Sequence, residues 1–296
     1  MITFYNKLLS YLKIIRAKQW LKNLVIFIPF FASANSEYIE LFELFLVAIG
    51  FSFVVSSTYL INDYIDKESD KSHPIKKERV ILIEDYTQRT LSLFVFFMFL
   101  SGVIIIFIVS IEASLLAFTY AVLSIFYSFK TKYIKYLDLI SIALFFILRL
   151  YIGGVVASIN ISIYTFLYIF FISIGITSSK KYSILKNNKI NKSKVKEFLL
   201  KNYKENELIL ITKYSFLVSS IVYIFWSLER LYISEFNFVI FILALLVYLL
   251  FICEFIKDTK INKTEEFIEL IFNNKKYIFY LNIFVVFNVF NVYSGF

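Results

Sequence analysis

Cysteine, histidine and proline are close to absent from this 296-residue chain, which holds one, one and two of them. The single thiol, Cys253, falls inside an apolar stretch, so neither a disulfide framework nor a thiolate metal site is available. The single imidazole, His73, has no neighbour suited to proton transfer and reads as a loop residue. Hydrophilic sequence is equally scarce. Its longest runs, 63–89 and 180–206, are too short to bury a core of their own, so no soluble domain is expected and residues 1–296 read as one membrane domain. The first ten residues show no cleavable signal pattern, and insertion is expected to rely on the apolar stretches themselves.

Those stretches dominate. Hydrophobic residues make up 59% of the chain, including 36 Phe and 22 Tyr. Nine segments have about the length needed to cross a bilayer: 14–34, 41–62, 90–111, 113–129, 137–157, 162–179, 208–228, 236–256 and 277–294. The fold class that follows is all-α, a polytopic membrane bundle of about nine transmembrane helices. The first span is atypical, with Arg16, Lys18 and Lys22 in its opening turns. Of the 31 Lys and Arg, 28 lie in segments 1–22, 63–89, 130–135, 180–206 and 257–276. The alternate connections hold only Arg230, while Arg149 and Lys213 lie within spans. Cytoplasmic loops carry such an excess, which puts the N-terminus and residues 63–89 on the cytoplasmic side. The net charge of +9 is therefore a matter of topology and attraction to anionic lipid, and no nucleic acid partner is expected.

One acidic run interrupts that basic side: Asn62-Asp63-Tyr64-Ile65-Asp66-Lys67-Glu68-Ser69-Asp70, directly after an apolar stretch. Carboxylates are costly at membrane depth and are retained there for function. Continued as a helix at about 100° per residue, the run places Asn62, Asp63, Asp66 and Asp70 on one face and Glu68 on the other. Oxygen ligands so grouped suit a hard divalent cation, and Mg²⁺ commonly bridges one or two carboxylates to substrate phosphates. The basic residues that follow, Lys71, Lys76, Lys77 and Arg79, suit the remaining phosphate oxygens, although lipid anchoring accounts for such residues too. Deeper in the chain, Asp138 and Arg149 fall on one helix face, and Arg149 needs a polar cavity or partner inside the membrane.

The pattern Asn62-Asp63-x-x-Asp66-x-x-x-Asp70 followed by His73-Pro74-x-Lys76-Lys77-x-Arg79 resembles the first motif of the UbiA superfamily of intramembrane prenyltransferases. More narrowly, it is similar to the decaprenyl-phosphate phosphoribosyltransferase branch. Arg16-Ala17-Lys18-Gln19-Trp20-Leu21-Lys22-Asn23 is similar to that branch's opening motif, with Ala17 where Pro is usual. Tyr127-Ser128-x-x-x-Lys132-x-x-x-x-Leu137-Asp138, with Arg149 beyond it, resembles the central motif. Lys180-Lys181-Tyr182 resembles the Lys-Arg motif, with Lys181 in place of Arg. Ile184 stands where Glu is frequent, and Asn273 lies near a frequent Asp. The resemblance covers residues 16–185; beyond them the topology matches but few residues do. It implies a UbiA-type bundle with a central cavity open to the cytoplasmic side, in a bacterial inner membrane.

Most members of that superfamily hold a prenyl diphosphate through Mg²⁺ on two acidic motifs, the second near the cytoplasmic end of the sixth span. Here that end reads Thr177-Ser178-Ser179-Lys180-Lys181, with no acid. Ammonium groups in place of carboxylates suit a pair of anionic substrates. The resemblance therefore implies Mg²⁺-dependent transfer of 5-phosphoribose from phosphoribosyl diphosphate to a polyprenyl phosphate, with release of pyrophosphate. It implies metal contacts from Asn62, Asp63, Asp66 and Asp70, and phosphate or ribose contacts from Gln19, Lys22, Asn23, Asn62, Lys76, Arg79, Tyr127, Lys132 and Arg149. Asp138 is expected at a ribose hydroxyl. Lys180 and Lys181 are expected at the lipid phosphate or, on the blander reading, serve only as a positive anchor. Asp63, Asp66 and Asp138 are the catalytic candidates, acting by positioning and electrostatics, since a lipid phosphate is already anionic and needs no strong base.

Three other readings compete. A UbiA-type enzyme could move a prenyl group onto an aromatic or other acceptor; a second acidic motif would favour it. A membrane transporter would show internal repeats or helices broken at mid-membrane, and the chain shows no such repeat. A lipid-binding relative without catalysis is the third. A homo-oligomer is compatible with all of them.

Overall fold

In a bilayer every backbone donor and acceptor must be satisfied within its own segment, so apolar runs of about twenty residues become α-helices. The computed structural model describes residues 14–33, 38–71, 87–187, 194–233 and 237–293. Within them, eight helices are long and apolar enough to cross a membrane. They are α2 (Tyr38–Ile65), α4 (Gln88–Val109), α5 (Ile111–Phe129), α6 (Leu137–Val156), α7 (Ile163–Lys186), α9 (Glu205–Ile233), α10 (Phe238–Lys260) and α12 (Lys275–Tyr293). Short helices α1 (Ile28–Ala32), α3 (Lys67–Lys71), α8 (Lys194–Asn202) and α11 (Phe267–Asn273) fill the connections. Successive long helices pack side by side, and α12 returns to touch α1, which closes the bundle. Large apolar side chains such as Phe96, Phe97, Ile108, Phe118 and Val286 face outward, as lipid contact requires.

The segment expected as a first membrane helix is instead a 3₁₀ helix over Ala17–Phe27 that passes into α1. Runs of 3₁₀ helix longer than three or four residues are uncommon. The reason lies in its pairing with α2. Trp20 Nε1 donates to Ser56 Oγ and Asn23 Nδ2 donates to Ser52 Oγ, each at 2.9 Å. Three residues of 3₁₀ helix and four residues of α-helix both rise about 6 Å. The tighter winding therefore keeps this antiparallel pair of contacts in register. It also lengthens the segment: Ala17–Ala32 reaches about 30 Å, the thickness of the hydrocarbon core. Pro29, at the first turn of α1, lacks only an amide that would be unpaired there anyway.

Glycine sets how closely this element docks. A Cβ on Gly153 would stand 1.8 Å from the carbonyl oxygen of Ile26, so α6 lies directly on the backbone of the 3₁₀ helix. Together with α2, α5 and α6, that helix encloses an apolar core containing Ile26, Phe51, Val54, Tyr120 and Phe145.

The distribution of basic residues makes a topological prediction. A reporter fused after Asp70 is expected to read cytoplasmic and one at Asn160 external, because 28 of the 31 Lys and Arg lie on the first side. Both reporters on the same side would overturn the assignment of the α4, α5 and α6 crossings.

Candidate active site

Helix α2 leads the acidic run out of the bundle. The Asp66 amide donates to the Asn62 carbonyl and the Asp70 amide to the Asp66 carbonyl, both at 2.9 Å, so helical winding persists through the turn into α3. Asp63 and Asp70 are buried, Asn62 and Asp66 partly so, and Glu68 is exposed, which is the division that helical spacing predicts. Each of the two middle acids meets a cation from another segment. Arg16 pairs with Asp63, and Lys132 Nζ lies 2.6 Å from Asp66 Oδ1. Arg16 adopts a left-handed backbone (φ 52°) just ahead of the 3₁₀ helix. Burial, followed by the charges of Asp66 and Asp70, pushes the Tyr133 phenol up to about 12. Among the described residues, no three His, Cys, Asp or Glu side chains converge in a manner that would cage a metal. Lys76 and Arg79 lie outside the described residues.

A second group of cations stands deeper. Lys22 lies within electrostatic reach of Lys180, Arg149, Arg16 and Glu266. Lys180 Nζ is 3.2 Å from Glu266 Oε1. Arg149, about 18 Å along α6 from its start, is 2% exposed. Its Nε donates to Asn23 Oδ1 at 2.9 Å, Nη1 to the Phe145 carbonyl at 2.7 Å and Nη2 to the Tyr120 hydroxyl at 3.0 Å. All three partners are neutral, and among the described residues no carboxylate pairs with it. A guanidinium does not deprotonate in proteins, so the bundle keeps a net positive charge here. Gln19 and Tyr127 are half-buried, and Tyr127 lies within reach of the charges on Asp66 and Asp138.

Asp138, Lys181 and Arg149 each meet protein partners. Asp138, read as a partner for a ribose hydroxyl, is fully buried. Its Oδ1 accepts from the Tyr203 hydroxyl at 2.7 Å and the Leu139 amide at 2.9 Å, and its other oxygen pairs with Lys181. Lys181 is therefore paired with Asp138, whereas Lys180 is paired with Glu266. Arg149 likewise meets Asn23, Phe145 and Tyr120. Tyr203, between α8 and α9, leaves no mark in the sequence because its partners lie about 65 residues away. It also receives the Tyr136 amide at 2.7 Å. Burial above all, and then the Asp138 carboxylate, raise its phenol well above the usual tyrosine range. Tyr136 itself holds φ 63° and ψ −36°, an outlier for a bulky residue, kept in place by its hydroxyl and by Lys135, both of which engage Glu207.

Where α7 lacks acids, hydroxyls form a buried network. Ser178 Oγ and Thr212 Oγ1 lie 2.8 Å apart, as do Ser179 Oγ and Thr259 Oγ1, and Ser179 Oγ donates to Thr264 Oγ1 at 2.6 Å. Ile184, at the other departure, packs with Tyr182, Leu185, Leu199, Tyr203 and Leu208. Asn273 is exposed at the end of α11.

The described residues form an all-helical membrane bundle that gathers acids and cations toward one end. The chain belongs to the UbiA prenyltransferase family, whose model matches residues 23–290. It is 25% identical over 233 residues to the decaprenyl-phosphate phosphoribosyltransferase of Mycolicibacterium smegmatis, covering 76% of this chain and 72% of that one. It is 30% identical over 170 residues to the uncharacterized protein y4nM of Sinorhizobium fredii, covering 56% of this chain; the match spans 33% of that longer protein. A UbiA homologue from Archaeoglobus fulgidus, solved with GPP and Mg²⁺, superposes with a TM-score of 0.64 at 15% identity, covering 96% of this chain and 99% of that one. The protein is thus an integral membrane transferase of the UbiA fold.

Proposed function

We propose that this enzyme, acting as a single membrane domain at the cytoplasmic face of a bacterial inner membrane, transfers 5-phosphoribose from phosphoribosyl diphosphate to a polyprenyl phosphate and releases pyrophosphate. The observation that carries the reading is the charge at the site. Lys22 lies within electrostatic reach of Lys180 and Arg149, while α7 offers buried serines where a second set of metal-binding acids would stand. Two anionic substrates require such a field; a neutral aromatic acceptor does not. The similarity to the M. smegmatis phosphoribosyltransferase supports the same choice.

Asn62, Asp63, Asp66 and Asp70 are the residues that would hold Mg²⁺. One or two carboxylates, with substrate phosphates completing the shell, are what this ion commonly takes from a protein, so the donor set fits without a three-acid cage. Bound there, Mg²⁺ would neutralise charge on the departing pyrophosphate. Arg16 and Lys132, now seated on Asp63 and Asp66, are then available to phosphate oxygens, as are Gln19, Lys76 and Arg79. Lys22 and Lys180 hold the lipid phosphate, and Asn23, fixed by Arg149 and Ser52, keeps the 3₁₀ helix in place behind them. The ribose C1–O bond to pyrophosphate breaks as a C1–O bond to the lipid phosphate forms. The attacking oxygen is already anionic, so no side chain takes a proton and catalysis rests on positioning. An apolar cavity of about 560 Å³ begins at Leu24 and Val25 and runs between the 3₁₀ helix, α7, α9 and α12 past Phe31, Tyr168 and Phe284. It suits the first part of a polyprenyl tail.

The test is direct: purified protein with labelled phosphoribosyl diphosphate, Mg²⁺ and polyprenyl phosphate, scored for labelled lipid. Coupling of a prenyl diphosphate to an aromatic acceptor instead would overturn the reading. Within it, Lys180→Ala is expected to raise the acceptor KM about tenfold or more, since losing a charge-assisted hydrogen bond costs roughly 1.5–3 kcal/mol. An unchanged acceptor KM in correctly inserted protein would remove Lys180 from the site.

A further inference from the structure

The acid that α7 lacks arrives from the last cytoplasmic connection. Glu266 precedes α11, and its Oε1 lies 3.2 Å from Lys180 Nζ. Buried hydroxyls fix this stretch of chain against α7. Thr264 Oγ1 donates to the Ser179 carbonyl at 3.2 Å, receives Ser179 Oγ at 2.6 Å and lies 2.8 Å from Ser183 Oγ. Next to it, Asn187 Nδ2 donates to Glu265 Oε2 at 3.0 Å. Glu266 is thereby held at the rim of the cationic group, with its side chain 32% exposed.

A carboxylate in that position works against phosphate binding, because it repels the oxygens that Lys22 and Lys180 attract. Its ionised oxygens accept hydrogen bonds only, and two of them match a pair of vicinal hydroxyls. Of the two proposed substrates, the sugar of the donor carries such a pair. We propose that Glu266 is a specificity residue that accepts hydrogen bonds from the vicinal ribose hydroxyls of the donor and so turns C1 toward the lipid phosphate. This rests on the function proposed above and identifies what selects a ribosyl donor. Lys180 then has two roles, steadying Glu266 on one side and meeting phosphate on the other.

The experiment measures calorimetric Kd values in detergent, with Mg²⁺, for phosphoribosyl diphosphate and its 3-deoxy analogue. The wild type is compared with Glu266→Gln and Glu266→Ala, each checked for an unchanged thermal midpoint. Wild-type protein is expected to bind the deoxy analogue on the order of tenfold more weakly. Glu266→Ala is expected to lose about as much for the full donor and to stop distinguishing the two, with Glu266→Gln between. Wild-type discrimination persisting in Glu266→Ala overturns the proposal. So does an equal weakening of both donors with the discrimination ratio intact, which would mean that Glu266 acts only through Lys180. A raised Mg²⁺ requirement with discrimination intact would reassign it to the metal and also overturn the proposal. Wild-type protein with no affinity for phosphoribosyl diphosphate would instead bring down the functional reading itself, and this inference with it.

Discussion

Asp66→Asn is expected to lower turnover more than about a hundredfold while the purified protein stays folded. Substitutions in the outer shell of metal sites already cost about ten- to a hundredfold, and a hard cation that loses a charged oxygen loses more. The fold is expected to survive because the introduced carboxamide keeps an oxygen for Lys132, which now lies 2.6 Å from Asp66. Glu68→Gln is the matched control. It lies two residues away on the exposed face, and its turnover is expected to stay within about twofold of wild type, as surface substitutions usually do. Turnover with labelled donor, thermal midpoints and an EDTA titration would be measured together. Wild-type turnover that persists in EDTA, or equal damage from both substitutions, would sink the metal role and the helical geometry behind it.

Hydropathy alone marks the eight long helices. Residues 137–157 are expected as a span and Leu137–Val156 form α6; residues 113–129 are expected and Ile111–Phe129 form α5. The largest overrun at a single end is that of α7, which continues to Lys186 because lysines end a membrane span without ending a helix. Hydropathy cannot register winding, so the 3₁₀ helix at Ala17–Phe27 is invisible to it. Its cause is a register with Ser52 and Ser56 on another helix, and ordinary serines in an apolar stretch give no hint of it.

The site is legible where the signal is local. Spacing along one helix is enough to separate Asp63, Asp66 and Asp70, buried or half-buried, from Glu68, which is exposed. It is also enough to turn Asp138 and Arg149 inward, and both are buried. Spacing says nothing about what an inward residue meets. Asp138 meets Tyr203 and Lys181, and Arg149 meets Asn23 and Tyr120, across distances in sequence that no periodicity connects. Glu266 leaves a faint trace: Glu265 and Glu266 are adjacent acids in a segment that carries five lysines. Only the fold brings Glu266 to Lys180.

The buried pair gives the second large effect. Lys181→Met alone is expected to destabilise the protein by about 3–5 kcal/mol, because it leaves the buried Asp138 carboxyl without its charged partner. Asp138 is fully buried, and Lys181 is its one charged partner among the described residues. Adding Asp138→Asn removes the stranded charge while leaving an oxygen for the Tyr203 hydroxyl and the Leu139 amide, which now bond Asp138. The double variant is therefore expected to recover most of the loss, since replacing both members of a buried pair is often close to neutral. Thermal midpoints in detergent would report the stabilities, and acceptor KM in the double variant would report function. A double variant as unstable as Lys181→Met would show that the pair is not a coupled unit. A stable double variant with a raised acceptor KM would return Lys181 to the lipid phosphate. Recovery of both stability and KM leaves the lipid phosphate to Lys180 and Lys22, with Asp138 and Lys181 joining α6 to α7 behind them.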